Sequence, residues 1–182
     1  MSGELFAGLD PSFAGTGIVI LDRQGKIVEQ KEISTKKING DRYDIEHRLM
    51  NIGNEVESFV SKYLDKIYVC YIEEISFGSA GEASAQLSAL NYYIRVYLMT
   101  LKINYYTISP GQLKKYITGN GQAKKNLMLK EVFKRWQVDF NSDNLADAYS
   151  LARYALDNYN KGVFEIHKKI KEKKQKRFEI VK

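Results

Sequence analysis

LFAGLDPSFAGTGIVIL, residues 5–21, is the stretch of sequence that decides the fold. It contains two largely apolar runs, 5–10 and 15–21, which are typical of strands; Pro11 follows the first run, and Gly15 begins the second. The first run ends in Asp10, so an acidic side chain stands where a core strand turns. A third run, 27–33, follows the turn-forming sequence DRQG, which predicts an antiparallel hairpin between the second and third strands.

The rest of the chain alternates helical and strand-like patterns. Apolar residues recur at intervals of three and four within 41–64, which predicts a long amphipathic helix. The run at 67–72 lacks polar alternation, as in strands buried on both faces, and 104–108 predicts a short fifth strand. Further helices are expected at 82–101, from Ser109-Pro110 onward, at about 123–136, and after a cap at Ser142 or Asp143. This order predicts an α/β fold with a mixed five-stranded sheet and helices on both faces.

The composition describes one globular domain. A chain of 182 residues, 44% of them apolar, is long enough for one substantial core and too short for two full-sized lobes. The net charge of +6 comes from the C-terminus, because residues 161–182 carry nine basic and three acidic side chains while residues 1–160 carry 19 of each. We therefore expect one domain at 1–160 and a basic tail at 161–182, which either contacts nucleic acid or only adds solubility.

The sequence also predicts the cellular compartment. Its N-terminus lacks a basic start followed by a long apolar run, and no apolar run approaches the roughly 20 residues of a membrane span. The single cysteine, Cys70, excludes an intrachain disulfide and is typical of a buried core thiol in a reducing cytosol. We expect a cytoplasmic protein that does not bind a membrane.

Carboxylates from three distant segments fall at the ends of predicted elements. Asp10 ends one buried strand and the pair Glu73-Glu74 ends another. Asp143 and Asp147 stand four residues apart, on one face of the last helix. Taken singly, each residue has a structural explanation as a turn or cap residue. Crowded carboxylates repel one another unless a cation neutralises them, so their joint placement indicates bound Mg²⁺, or Mn²⁺ in its place.

The metal-ligating residue types in the sequence limit which metals and reactions fit the site. Neither cysteine nor histidine occurs in a spacing typical of zinc ligands. Two hard cations about 4 Å apart can generate a hydroxide nucleophile and stabilise the leaving 3′-oxygen of a phosphodiester. The carboxylates therefore indicate metal-dependent phosphodiester hydrolysis.

The same residues resemble the motifs of RuvC-type Holliday junction resolvases. The family's three acidic motifs are matched by GLDPS at 8–12, YIEE at 71–74 and LADA at 145–148. The similarity spans residues 8–152 in the family's order and implies an RNase H-like fold. It also implies that Asp10, Glu73 and Asp147 are catalytic metal ligands. We expect Asp10 to bridge two ions.

The resemblance extends to the residues expected to contact DNA. The sequences SPGQLK and GNGQAKK resemble the family's lysine segment around a glycine loop, which implies that Lys114 and Lys125 contact phosphates near the cut. We expect Lys115 and Lys124 to hold the DNA backbone with them. The family carries an aromatic residue soon after its glutamate motif, and Phe77 lies one position later than expected. Phe77 either stacks on bases at the junction or is an ordinary loop phenylalanine.

The last acidic motif departs from the family pattern. The family usually has an acidic residue three positions before the last aspartate, where this chain has Asn144. Either Asn144 or the preceding Asp143 could complete the metal site, and we favour Asp143.

The resemblance further implies a homodimer that cuts the two symmetric strands of a four-way junction. Forked DNA is a second candidate substrate. The predicted helix at 82–101 is the candidate interface because its small residues permit close approach. The same residues could instead pack on the sheet.

Three other functions fit parts of the pattern. An aspartate before a Gly-Thr-Gly hairpin also occurs in actin-like and sugar-kinase folds, but these need two lobes to enclose ATP. A related RNase H-like nuclease could cut RNA in hybrids, or forks and flaps, with identical catalytic residues. A non-catalytic protein could bind junctions through its lysines alone.

Overall fold

The computed structural model describes residues 3–75 and 81–165. Its centre is one five-stranded sheet, whose strands are β1 (Leu5–Asp10), β2 (Thr16–Leu21), β3 (Ile27–Ile33), β4 (Ile67–Glu73) and β5 (Tyr105–Ile108). The strand order is β3-β2-β1-β4-β5. The β1, β2 and β3 strands form an antiparallel meander, and β4 and β5 add to β1 in parallel. The predicted mixed five-stranded sheet and its hairpin are confirmed.

Helices cover both faces of this sheet, as predicted. They are α1 (Asp44–Ser61), α2 (Glu82–Thr100), α3 (Pro110–Thr118), α4 (Lys125–Trp136) and α5 (Asp143–Asn160). One apolar core lies between the sheet and the pair α1 and α2, and a second core lies between the opposite face and the helices α3, α4 and α5. The β1 and β2 strands are buried along their whole length because both cores use them.

Local turn chemistry explains where the helices begin and end. Ser109 accepts a hydrogen bond from the backbone N–H of Gln112 and forms a capping box, and Ser142 caps α5 by accepting from Leu145 N–H. Gly119 ends α3 with a left-handed φ of 80°. These caps confirm the predicted starts of α3 and α5.

The long helix predicted at 41–64 is shorter than expected. It begins at Asp44, because the preceding segment satisfies its backbone with side chains instead of helical bonds. The Asp41 carboxylate accepts from Tyr43 N–H at 2.9 Å, and the Asp44 carboxylate accepts from Ile38 N–H at 2.6 Å. The apolar periodicity of this region did not reveal that turn.

Two glycines bring α5 against the sheet at backbone contact distance. A β-carbon at Gly8 would lie 2.0 Å from the Ala148 carbonyl oxygen, and one at Gly17 would lie 2.2 Å from the Asn144 carbonyl oxygen. No side chain fits between these backbones, so the start of α5 lies directly over β1 and β2. The helix therefore holds its acidic residues beside the end of β1.

The remaining predictions about the chain are tested in part. Cys70 is buried, and desolvation raises the pKa of its thiol to about 12, as expected of an inert core cysteine. Within the described ranges, none of the helices combines the length and apolarity that crossing a membrane requires. Of the predicted basic tail, residues 166–182 lie outside the described part of the chain, as does Phe77.

Candidate active site

Three carboxylates from three elements line one cavity at the end of the sheet. Asp10 is the last residue of β1 and Glu73 is the last residue of β4. These strands are parallel neighbours in which Leu9 lies opposite Ile72, so the next residues of both strands emerge side by side. Asp147, in the second turn of α5, faces them. The structure thus brings together the three acids that the sequence analysis placed in one site.

The carboxylates hold protons more tightly than isolated acids. Burial, followed by the negative charges of Glu73 and Asp147, raises the pKa of Asp10 well above its usual value. Burial and the charge of Asp147 raise the pKa of Glu73 to about 7, and burial raises the pKa of Asp147 to about 6. The carboxyl groups of Asp10 and Glu73 also hydrogen-bond each other. Without a cation, the cavity is therefore partly protonated near neutral pH.

The donor set suits a hard divalent cation. Asp10, Glu73 and Asp147 line the cavity with carboxyl groups, and Mg²⁺ and Mn²⁺ prefer carboxylate oxygens as ligands. Across residues 3–75 and 81–165, however, no three Asp, Glu, His or Cys side chains stand as a ready-made ligand group.

The two candidates for a fourth ligand lie on different sides of Asp147. Asn144 lines the cavity that contains Asp10, Glu73 and Asp147. Asp143, which we favoured from the sequence, lines a neighbouring small cleft with Lys125 and is 46% exposed. Its Oδ2 lies 3.8 Å from Lys125 Nζ. The placement favours Asn144 as the residue that faces the carboxylates, and Asp143 as a partner of Lys125.

The predicted lysines divide into two groups. Lys114 of α3 and Lys125 of α4 line the cavity, and their positive charges lower the pKa values of the neighbouring carboxyl groups. Lys115 and Lys124 are exposed on the same two segments, where Lys124 is the cap residue of α4.

Glu74, the neighbour of Glu73, is bonded to the sheet through its backbone, since its N–H donates to Ile108 O at 2.8 Å.

Hydrogen bonds fix the loop that follows Asp10. Thr16 is fully buried, and its Oγ1 donates to Ser12 O at 2.7 Å while accepting from Ser12 N–H at 3.1 Å. The Phe13 carbonyl oxygen accepts from the hydroxyl of Thr35 at 2.7 Å. The wall of the cavity beside Asp10 is therefore a fixed loop.

Two residues that contact the site from neighbouring elements were not predicted from the sequence. Asn91 of α2 is buried, and its Nδ2 donates to the Glu73 carbonyl oxygen at 2.8 Å. Its signal was a lone amide within the apolar stripe of that helix. Glu32 of β3 accepts from Asn144 Nδ2 at 2.7 Å. An exposed glutamate on a strand gives no comparable signal.

The raised pKa values predict that Glu73→Gln stabilises the cation-free protein. The folded-state pKa of Glu73, about 7, exceeds the usual 4.5, so the stability it contributes is present at low pH and is lost as pH rises through 7. At pH 8 the variant should unfold with a free energy on the order of 2 kcal/mol higher than the parent, and the difference should shrink toward pH 5. Urea titrations in EDTA measure this. Glu46→Gln, at an exposed position, is the control, and equal stability of Glu73→Gln and parent at pH 8 would refute the burial argument.

The comparisons with known proteins agree with this geometry. The family model described as Crossover junction endodeoxyribonuclease RuvC matches residues 6–153. A crossover junction endodeoxyribonuclease RuvC of Brachyspira hyodysenteriae is 28% identical over 148 residues, which are 80% of this chain and 89% of the relative. That of Ehrlichia canis is 28% identical over 161 residues, 84% of this chain and 97% of the relative.

Solved structures agree on the fold. Thermus thermophilus RuvC superposes with a TM-score of 0.70 at 19% identity, covering 87% of this chain and 96% of that one. The same protein in complex with a Holliday junction substrate gives a TM-score of 0.71 at 16% identity, with the same coverage. These likenesses establish the RNase H-like fold that the motifs implied. Because the family model covers most of the sequence, the chain belongs to the RuvC family of crossover junction endodeoxyribonucleases.

Proposed function

We propose that this protein is a metal-dependent endonuclease that resolves four-way DNA junctions by hydrolysing phosphodiester bonds. The observation that carries the proposal is one cavity lined by Asp10, Glu73 and Asp147 and flanked by Lys114 and Lys125. Membership of the RuvC family supports the reaction class, and the relatives named above are crossover junction endodeoxyribonucleases. One solved RuvC structure holds a Holliday junction substrate, which supports the choice of DNA.

The proposed mechanism assigns a role to each residue of the cavity. Asp10, Glu73 and Asp147 would hold Mg²⁺, or Mn²⁺ in its place. Bound divalent ions supply an activated water and stabilise the departing oxygen. Protons and the cation compete for these carboxylates, so we expect the affinity for Mg²⁺ to increase as pH rises through about 7, the pKa of Glu73 in the cation-free protein. Lys125 would hold the phosphate beside the cavity, with Asp143 orienting its ammonium group.

Replacement of a cavity lysine tests the DNA contacts. Lys125→Ala should weaken junction binding about equally for different DNA sequences, because a phosphate contact does not read bases. It should also reduce the slope of log affinity against log salt by about one unit, the contribution of one phosphate charge. Fluorescence anisotropy at several salt concentrations measures both effects.

Lys66→Ala is the matched control for that experiment. Lys66 is exposed and directly precedes β4, whereas Glu73 is at the other end of that strand. Its loss should leave the salt slope unchanged. If Lys125→Ala binds the junction like Lys66→Ala and cuts it at the parent rate, Lys125 does not contact a phosphate.

A comparison of substrates separates the proposal from its competitors. The protein should be incubated with Mg²⁺ and labelled four-way junction, fork or RNA/DNA hybrid of related sequence. A junction resolvase cuts the junction fastest, whereas an RNase H-like ribonuclease cuts the hybrid. A non-catalytic junction-binding protein leaves all three intact while still binding the junction, and that outcome would overturn the proposal.

We further propose that the protein acts as a homodimer through α2. The outward face of this helix carries a stripe of exposed apolar residues: Tyr92 is 58% exposed, Val96 52% and Met99 61%. They recur at intervals of four and three residues, so they form one continuous patch, which solvent-facing helices usually avoid. The opposite face packs Leu90 and Ile94 into the core, so the helix rests on the sheet and still presents a second apolar surface. A second copy covers it symmetrically and supplies a site for each strand of a junction.

A charge within this stripe should separate the subunits. Val96→Asp should shift the protein from dimer to monomer in sedimentation analysis, because the charge would be buried without a partner. Junction binding should weaken in parallel. Met50→Asp, on the exposed side of α1, is the control and should not change the molecular mass. A monomeric parent protein, or a Val96→Asp protein that remains dimeric, would contradict the interface.

We place this activity in the cytoplasm. That compartment contains DNA, and its reducing environment keeps Cys70 as a free thiol.

A further inference from the structure

The family pattern has an acidic residue where this chain has Asn144, and the structure shows what surrounds that amide. Asn144 lines the carboxylate cavity from the first turn of α5. On its other side, its Nδ2 donates to Glu32 Oε1 at 2.7 Å. Glu32 lies on β3, outside the cavity, so this bond joins the edge of the sheet to the helix that carries Asp147.

Gly15 leaves the space that the bond occupies. A β-carbon at this position would lie 2.4 Å from Asn144 Nδ2 and 2.5 Å from Glu32 Oε1. Any larger residue would therefore push the two side chains apart. The absence of a side chain at Gly15 thus leaves room for Asn144 and Glu32 to meet.

The chemistry of the two groups fixes which way the amide faces. A carboxylate at neutral pH only accepts hydrogen bonds, so Glu32 selects the NH₂ end of the amide. An amide is planar, and its oxygen and nitrogen point in different directions from the carbonyl carbon. Because Nδ2 is bonded to Glu32, Oδ1 is the atom of this amide that remains available as a ligand in the cavity that Asn144 lines.

We propose that Glu32 is a positioning residue that turns Asn144 Oδ1 toward the carboxylates as a neutral ligand for the divalent cation. This inference rests on the proposed metal-dependent function and extends it to a residue outside the cavity. An amide oxygen is a hard ligand like a carboxylate oxygen. Asn144 therefore completes the ligand set without adding a fourth negative charge to the crowded acids Asp10, Glu73 and Asp147. Glu32 supplies that charge from outside.

Cation binding in the absence of DNA tests the proposal. Mn²⁺ is titrated into the full-length protein and the affinity is measured by calorimetry. Glu32→Ala should weaken Mn²⁺ affinity about tenfold, as loss of a partner that orients a ligand typically does. Asn144→Ala should weaken it at least as much. In the Asn144→Ala background, Glu32→Ala should cause no further loss, because the amide that it orients is gone.

Two further variants separate orientation from charge. Glu32→Gln keeps an acceptor oxygen but removes the charge, so it should retain more affinity than Glu32→Ala. Glu29→Ala removes a carboxylate from the same strand, where it binds Lys62 and Tyr63, and should leave Mn²⁺ affinity unchanged. Thermal melts in EDTA verify that each variant is folded.

Specific outcomes overturn the inference. Parent-like Mn²⁺ affinity in Glu32→Ala would do so, as would an equal loss in the Asn144→Ala background, which would mean that Glu32 acts through charge alone. Failure of the proposed function looks different. If the parent protein binds Mn²⁺ and the variants show the expected coupling, but the parent leaves junctions uncut, the proposed function is refuted and the role of Glu32 is supported.

Discussion

Asp10→Asn should lower the rate of junction cleavage by about three orders of magnitude or more, while junction affinity stays within about twofold of the parent. Asp10 is the most buried of the three cavity acids, 9% exposed, and it contacts Glu73 directly. Loss of its charge should therefore remove the cation from the cavity, and cleavage depends on that cation. Asparagine keeps the shape of the side chain and loses the charge, so the lysines that hold DNA remain in place.

Single-turnover cleavage and binding, measured on the same labelled junction, separate the two effects. Asp139→Asn makes the same chemical change at an exposed position before α5 and should cut at the parent rate. Without divalent cations, Asp10→Asn should also be more stable than the parent near pH 8, because the ionised form of a buried acid with a raised pKa is costly. Cleavage within tenfold of the parent rate would show that Asp10 holds no essential ion.

Gly8→Ala should destabilise the protein by about 3 kcal/mol or more, or prevent it from folding. The added β-carbon would lie 2.0 Å from the Ala148 carbonyl oxygen and 2.4 Å from the Ala152 nitrogen. Both are backbone atoms of α5, so no side-chain rotation relieves the clash and the whole helix must retreat from β1. The retreat would carry Asp147 away from Asp10, so surviving protein should bind Mn²⁺ weakly.

Gly111→Ala is the control for this effect. The nearest neighbour of its added β-carbon, the Gly121 carbonyl oxygen, lies 3.7 Å away, and the residue is in the first turn of α3. Its stability should change by less than about 1 kcal/mol, in the stabilising direction. Chemical denaturation of both variants measures the contrast. A Gly8→Ala protein as stable as Gly111→Ala would mean that β1 and α5 do not pack at backbone contact.

The parts of the fold that local pattern determines were predictable from the sequence. The strand at 5–10, the buried run at 67–72 and the cap at Ser142 depend on neighbouring residues, and each was predicted within a residue or two. Asp10 and Glu73 could be placed together because both end strands that belong to the middle of the sheet.

The rest depends on contacts between distant segments. Asp143 and Asn144 are adjacent in the first turn of α5, so only the rotation of the helix over Gly17 decides that Asn144 enters the cavity. The charge of Asp143 made it the favoured candidate from the sequence, because local sequence does not determine the direction in which each side chain points. Glu32 gave no local signal, since its role arises from contact with a residue 112 positions away.

The most direct test of the central claim is anomalous diffraction from crystals of the protein grown with Mn²⁺. If Asp10, Glu73 and Asp147 form one catalytic cation site, an anomalous peak will lie between their carboxylates, within coordination distance of Asp10. Crystals of Asp10→Asn should lack or weaken that peak. A parent crystal with no manganese in this cavity at saturating Mn²⁺, or with the ion held only elsewhere, would contradict the account.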